Sequence, residues 1–117
     1  METLDELQRR ICTQFGAAFE PPVAGSKVGI ALHTIGRVPI HGVRIPSEPP
    51  VCGWYIWAGD TWSADPEFYQ ALCVEHLEDR CKDVLPFLAL PPGWRFLIDG
   101  KGHEDVWFDE IVLQRNG

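Results

Sequence analysis

The chain has 117 residues, 45% of them hydrophobic and 23% charged, with a formal net charge of −7. That length suits one domain able to bury a core without disulfide or metal staples, and the composition is that of an ordered globular protein. The acidic balance disfavours nucleic-acid binding, which needs a basic stripe along the phosphate backbone. No apolar run approaches the roughly 20 residues of a membrane-spanning helix.

Met1–Glu6 is acidic and amphipathic, with neither the basic region nor the apolar run of a secretory signal, so a cytoplasmic location is expected. Leu4, Leu7, Ile11 and Phe15 recur at helical spacing and predict a helix over residues 3–15, capped by Thr3 or Asp5 and ended by Gly16. Pro21-Pro22 breaks the chain, and residues 28–35 read as a first strand whose Gly29 marks a bulge or a close approach. Residues 36–50 form a long connection rich in Gly and Pro. Within it, Val38-Pro39-Ile40 and Gly42-Val43-Arg44-Ile45 are candidate edge strands, where proline is tolerated.

Three aromatic runs follow, and four of the five tryptophans lie in them. In the first, Gly53 to Gly59, Trp54, Ile56 and Ala58 point one way while Tyr55 and Trp57 point the other. A strand apolar on both sides packs one face on the core, and its other face meets a helix or a partner. Asp65-Pro66 then resembles a helix start, with Asp65 as cap. Leu77, Cys81, Val84, Leu85 and Leu88 keep helical spacing up to an interruption at Pro86. The second run, Trp94 to Ile98, and the third, Glu104 to Phe108, read as strands joined by the hairpin signal Asp99-Gly100-Lys101-Gly102. Residues 111–113 close the sheet or end in a helical turn. The order predicts an α+β fold, a mostly antiparallel sheet with helices packed on one face, in a single domain spanning 1–117.

Chemistry is harder to find. The four cysteines, Cys12, Cys52, Cys73 and Cys81, contain no close CxxC pair and read as buried structural thiols rather than zinc ligands. Cys73, His76 and Glu75 compose a conceivable thiol catalyst, but a helix would aim Glu75 away from the other two. His103, Glu104 and Asp105 with Asp99 and Asp109 suggest a cation site only on paper, because strand alternation splits them between faces. Arg95 is read as a structural residue that stacks on an aromatic or pairs with a carboxylate such as Asp99. No catalytic residue, metal ligand or cofactor is assigned. The charge itself is uneven. Residues 60–83 and 99–110 are strongly acidic, whereas residues 21–59 carry three basic residues against Glu48. Such acidic stretches either solvate the fold or steer a basic protein partner.

The aromatic strings, taken in order, resemble one family. Gly53-Trp54-Tyr55-Ile56-Trp57-x-Gly59, Val74-Glu75-His76-Leu77, Leu88 to Asp99 and Glu104 to Asp109 are similar to the Imm33-like group of small bacterial immunity proteins. The likeness covers roughly residues 51–110. It implies a cytoplasmic protein that neutralises a cognate toxin of a polymorphic toxin system by binding it, without catalysis, and it supplies no catalytic residues. The expected partner is a basic toxin domain, with no nucleic acid and no membrane; the oligomeric state is left open. The residues expected to meet the toxin are the hairpin acids Asp99, Glu104, Asp105 and Asp109, the acids Glu75, Glu78 and Asp79, and Trp62 as an exposed aromatic anchor. Trp54, Trp94 and Trp107 are expected in the core. Two other readings remain: a small metal-dependent enzyme built on the hairpin acids and His103, and a binding domain with a ligand or peptide groove between the sheet and the Pro-rich loop.

Overall fold

A computed structural model describes residues 2–60 and 65–114. It opens with helix α1, Leu4–Phe15, where the Thr3 hydroxyl accepts the Glu6 N–H and Gly16 closes the last turn in a left-handed conformation (φ 75°). Six strands follow: β1 Lys27–Ile30, β2 Ile40–Arg44, β3 Val51–Ala58, β4 Gln70–Cys73, β5 Trp94–Ile98 and β6 Glu104–Phe108. They form one sheet in the order β4-β1-β3-β2-β5-β6, in which only β1 and β3 run parallel. With its helices, this is the α+β architecture that the order of elements predicts. No helix among the described residues is long and apolar enough to cross a membrane.

Alternation along β3 separates two apolar clusters. Cys52, Trp54, Ile56 and Ala58 join Phe96 and Ile98 of β5 under a cover made by Ile11 and Cys12 of α1 and by Leu77, Cys81, Val84, Phe87 and Leu88. Trp54 is fully buried there and donates its indole N–H to the Leu88 carbonyl at 2.9 Å. Trp57 faces the other way, into a smaller cluster with Ala31, Val43, Ile45 and Val112, against which Tyr55, Phe68 and Tyr69 pack.

Three expectations need correction. The strand expected over residues 28–35 stops at Ile30, and Leu32–Thr34 turn as a 3-10 helix. Gly29 does both things a strand glycine suggests: the register slips beside it, and a Cβ there would lie 2.8 Å from the Tyr55 ring. The segment expected as edge strands holds instead the inner strand β2, hydrogen-bonded to β3 on one side and β5 on the other. Pro39 stands just outside it, and Gly42 inside it is required because a Cβ would fall 2.1 Å from the Phe96 ring.

The third correction is larger. The helix expected from Asp65 is only a 3-10 turn, Pro66–Phe68, in which Asp65 still accepts the Glu67 N–H. The chain then extends as β4, antiparallel to β1. Helical geometry returns in pieces: a 3-10 turn at Val74–His76, helix α2 at Leu77–Arg80, and a second 3-10 stretch at Lys82–Phe87 that contains Pro86. Ladder bonds to β1 outweigh the local helical spacing, which is how tertiary context overrides a propensity.

Candidate functional site

The β5–β6 hairpin places its acids by simple strand geometry. Asp99 begins the turn, where its carboxylate accepts the N–H groups of Lys101 (2.7 Å) and His103 (3.1 Å). The Lys101 bond, with smaller help from that of His103, holds its pKa below the ordinary carboxylate value. Along β6, Glu104 stands opposite Ile98 and Asp105 opposite Leu97, so the two acids point to opposite faces. Asp105 meets the His103 imidazole at 2.9 Å. Asp109 pairs with Arg95 at 3.1 Å and also accepts the Ile111 N–H. Arg95 therefore uses Asp109 rather than Asp99, because β5 and β6 bring residues 95 and 109 to the same end of the hairpin.

Arg95 also lies over the Trp107 ring, 5.6 Å from its centroid, with its Nε buried and unpartnered among the described residues. Trp107 itself is 39% exposed and the adjacent Phe108 is 48% exposed, so Trp107 is a surface residue and not the core residue expected. Cross-strand register explains this. Tyr55, Val43, Arg95 and Trp107 form one row across β3, β2, β5 and β6, and Trp57, His41, Leu97 and Asp105 form the next. Each row starts under cover and ends in solvent at β6, whose outer edge pairs with no strand among the described residues. Ile111 and Leu113, both exposed, extend the apolar surface just after β6. His41 stacks flat on Trp57 (4.9 Å, 8°) and bonds the Gly59 carbonyl through Nε2. Burial lowers its pKa, favouring the neutral ring.

The other acids lie elsewhere. Glu75, at the β4 end of the sheet, accepts the Gly25 N–H at 2.7 Å, which is the main cause of its lowered pKa. Six strands at about 4.8 Å spacing separate the β4 edge from the β6 edge by roughly 24 Å, so Glu75 and the hairpin acids do not form one cluster. Glu78 and Asp79 are exposed on α2, and their carboxylates make no hydrogen bond or ion pair among the described residues. Glu104 is equally uncommitted. Trp62 lies outside the described residues.

The acids thus divide into those that hold the fold together, Asp99, Asp109 and Glu75, those whose oxygens face solvent unspent, Glu104, Glu78 and Asp79, and Asp105, whose one partner is the exposed His103 ring. Sequence reasoning expected Arg95 to stack or pair but missed Trp107 as its ring, a partner set by the i to i+12 register of a hairpin with a five-residue connection.

Cys12, Cys52 and Cys81 are buried free thiols, and burial, with Asp83 nearby, pushes Cys81 up to about 11. Cys73 is half-buried at the end of β4, where Lys27 Nζ reaches its sulfur at 2.9 Å. Among the described residues, no three His, Cys, Asp or Glu side chains gather closely enough to hold a metal ion.

Searches with the chain found no matching curated protein and no matching solved structure. A family model does match, that of the Imm33-like domain, over residues 7–109. It takes in most of α1, with β1 and β2, as well as the aromatic strings, and so reaches well beyond the stretch whose wording carries the resemblance. The match spans nearly the whole chain, and the chain belongs to the Imm33-like domain family.

Proposed function

We propose that this protein is an immunity protein: it binds a cognate bacterial toxin in the cytoplasm and neutralises it by occupying its surface, with no chemistry of its own. The family supports an immunity role, and one structural observation supports a location for it. At the outer edge of β6, an exposed Trp107 held by Arg95 shares its face with Asp105, while Phe108 and Glu104 lie on the other face of the same edge strand. An aromatic anchor stiffened by a cation and rimmed by charge is the composition of an interface hot spot. The unpaired edge adds backbone donors and acceptors for an extended segment of the partner.

The surrounding acids suit a basic toxin domain, since carboxylates at an interface attract it from a distance and discriminate against acidic proteins. Charges on an edge strand also prevent promiscuous strand pairing, so the same residues keep the free protein monodisperse.

The test is binding to the toxin encoded beside this gene. Calorimetry with the purified pair is expected to show one-to-one binding, and co-expression to restore growth of cells that make the toxin. A toxin that stays lethal in the presence of folded protein would refute the immunity role. Full affinity in Trp107→Ala combined with Glu104→Lys would instead remove the β6 edge from the interface and leave the role standing.

A further inference from the structure

Arg44 is the most unusual charged residue in the molecule. It ends β2 on the helix-covered side of the sheet, beside Trp54, and is only 8% exposed. Its Nε donates to the Cys52 carbonyl at 3.0 Å, and its Nη1 to the carbonyls of Glu20 (2.6 Å), Leu90 (2.8 Å) and Leu88 (3.3 Å). All these acceptors are neutral. Among the described residues no carboxylate pairs with Arg44, and the exposed Glu20 side chain acts on it only from a distance. A guanidinium keeps its proton at any physiological pH, so a buried positive charge stands here without a counter-ion.

Nη2 makes no hydrogen bond among the described residues, yet it is not among the side-chain atoms sealed from solvent without a partner. It is therefore not fully sealed, and Arg44 lines a cleft of about 400 Å³. Residues 20–26 form one wall, residues 47–52 the other, and Pro92 closes an end. The walls mix apolar and polar surface: Pro21, Val23, Pro49, Pro50 and Pro92 stand beside Glu20 and the hydroxyl-bearing Ser26 and Ser47. This volume lies within the range of small-ligand sites, about 300–1,000 Å³.

We propose that this cleft binds a carboxylate carried on a short apolar body, with Arg44 Nη2 as its anchor. With Nε and Nη1 committed to carbonyls, Nη2 is left to give one end-on, charge-assisted hydrogen bond to a carboxylate oxygen, and the prolines offer an aliphatic chain apolar contact. Glu20 at the rim repels a dianion, which disfavours phosphate. A small organic monocarboxylate and the C-terminal end of a peptide share this chemistry. Either would neutralise the buried charge. The site is independent of the β6 edge, and its test does not require the toxin.

The experiment is a 15N NMR titration of the whole chain with butyrate, butyramide, inorganic phosphate, and a short aliphatic peptide as free acid and as amide. Butyrate and the free-acid peptide are expected to move the amides of Gly25, Ser26, Val51 and Cys52 and the Arg44 Nε–H saturably, while the amides of both ligands leave them in place. Free-acid peptide binding at least about tenfold tighter than butyrate, a difference of about 1.4 kcal/mol, would identify a peptide terminus; equal affinities would identify a small carboxylate.

Arg44→Lys is expected to abolish the shifts, but it risks the fold. Ala24→Phe, which fills the exposed mouth of the cleft without touching a hydrogen bond, should abolish them in a protein of unchanged stability. Equal response to butyramide, tighter binding of phosphate, undiminished binding in Ala24→Phe, or no saturable shift with any carboxylate would each overturn the proposal.

Discussion

The two faces of the sheet handle an arginine in opposite ways. On the helix-covered face Arg44 is wrapped by four backbone carbonyls from three segments, and its side chain joins the 20–26 loop, β3 and the 88–90 turn into one body. On the other face Arg95 is partly exposed, with one carboxylate and one ring as partners. The first arginine reinforces links already made by the Trp54 indole to Leu88 and by the Glu20 N–H to Ala89; the second organises a surface. Charge alone does not distinguish them. What distinguishes them is whether the acceptors are fixed backbone or mobile side chains, because a lost donor leaves buried carbonyls orphaned only in the first case.

Replacement of Arg44 by methionine should therefore show the largest effect: a loss of about 3 kcal/mol or more in urea unfolding, since several buried carbonyls lose their donor together. Arg95→Met, measured the same way, should cost under about 1 kcal/mol, as expected for a partly exposed pair screened by solvent. Similar losses for the two would end the contrast. Gly42→Ala follows in size. It forces a Cβ to within 2.1 Å of the Phe96 ring, and overpacking of this kind costs about 1–3 kcal/mol. An unchanged melting temperature would show that the covered face can shift to admit it.

Trp107→Ala is expected to change stability by less than about 1 kcal/mol, because a partly exposed side chain adds little to burial, while weakening toxin binding by about 2 kcal/mol. Loss of both in parallel would make Trp107 a fold residue after all. The smallest effect concerns His41, whose folded pKa lies below its unfolded value. The unfolded chain then binds the proton more tightly, so this contribution is complete above the unfolded value of about 6.5 and is lost as pH falls through the folded one. His41→Gln should flatten the slope of stability with pH just below about pH 6.5 and leave the slope near pH 8 unchanged. A slope unchanged by the substitution would assign it to other groups.

Much of the covered face was legible in the sequence, and less of the open one. The alternation of Trp54, Ile56 and Ala58 against Tyr55 and Trp57, the caps of α1 and the β5–β6 turn are local signals, and local signals survive into the fold. β2 was misread because Pro39 and Gly42 look like edge features until Phe96 of β5 is seen to fill the space above Gly42. β4 was misread because its ladder partner lies some forty residues upstream and leaves no trace in the residues around it. The positions of Glu75 and Trp107 also depend on pairing across the sheet, so a list of acids and aromatics grouped residues that the fold sets apart. Arg44 shows this most plainly: nothing near it in sequence announces four carbonyl partners.

The placement of β2 has a consequence for how the chain is made. β1, β2 and β3 can associate once the first half of the sequence is available, but β2 remains half-paired until β5 arrives, and two of the carbonyls that hold Arg44 belong to Leu88 and Leu90. A chain growing from its N-terminus therefore carries an unsatisfied strand and an unhoused cation until most of it has been synthesised, and contacts this far apart in sequence form slowly. Under the proposed immunity role, the interval between synthesis and protection is set by the last quarter of the chain.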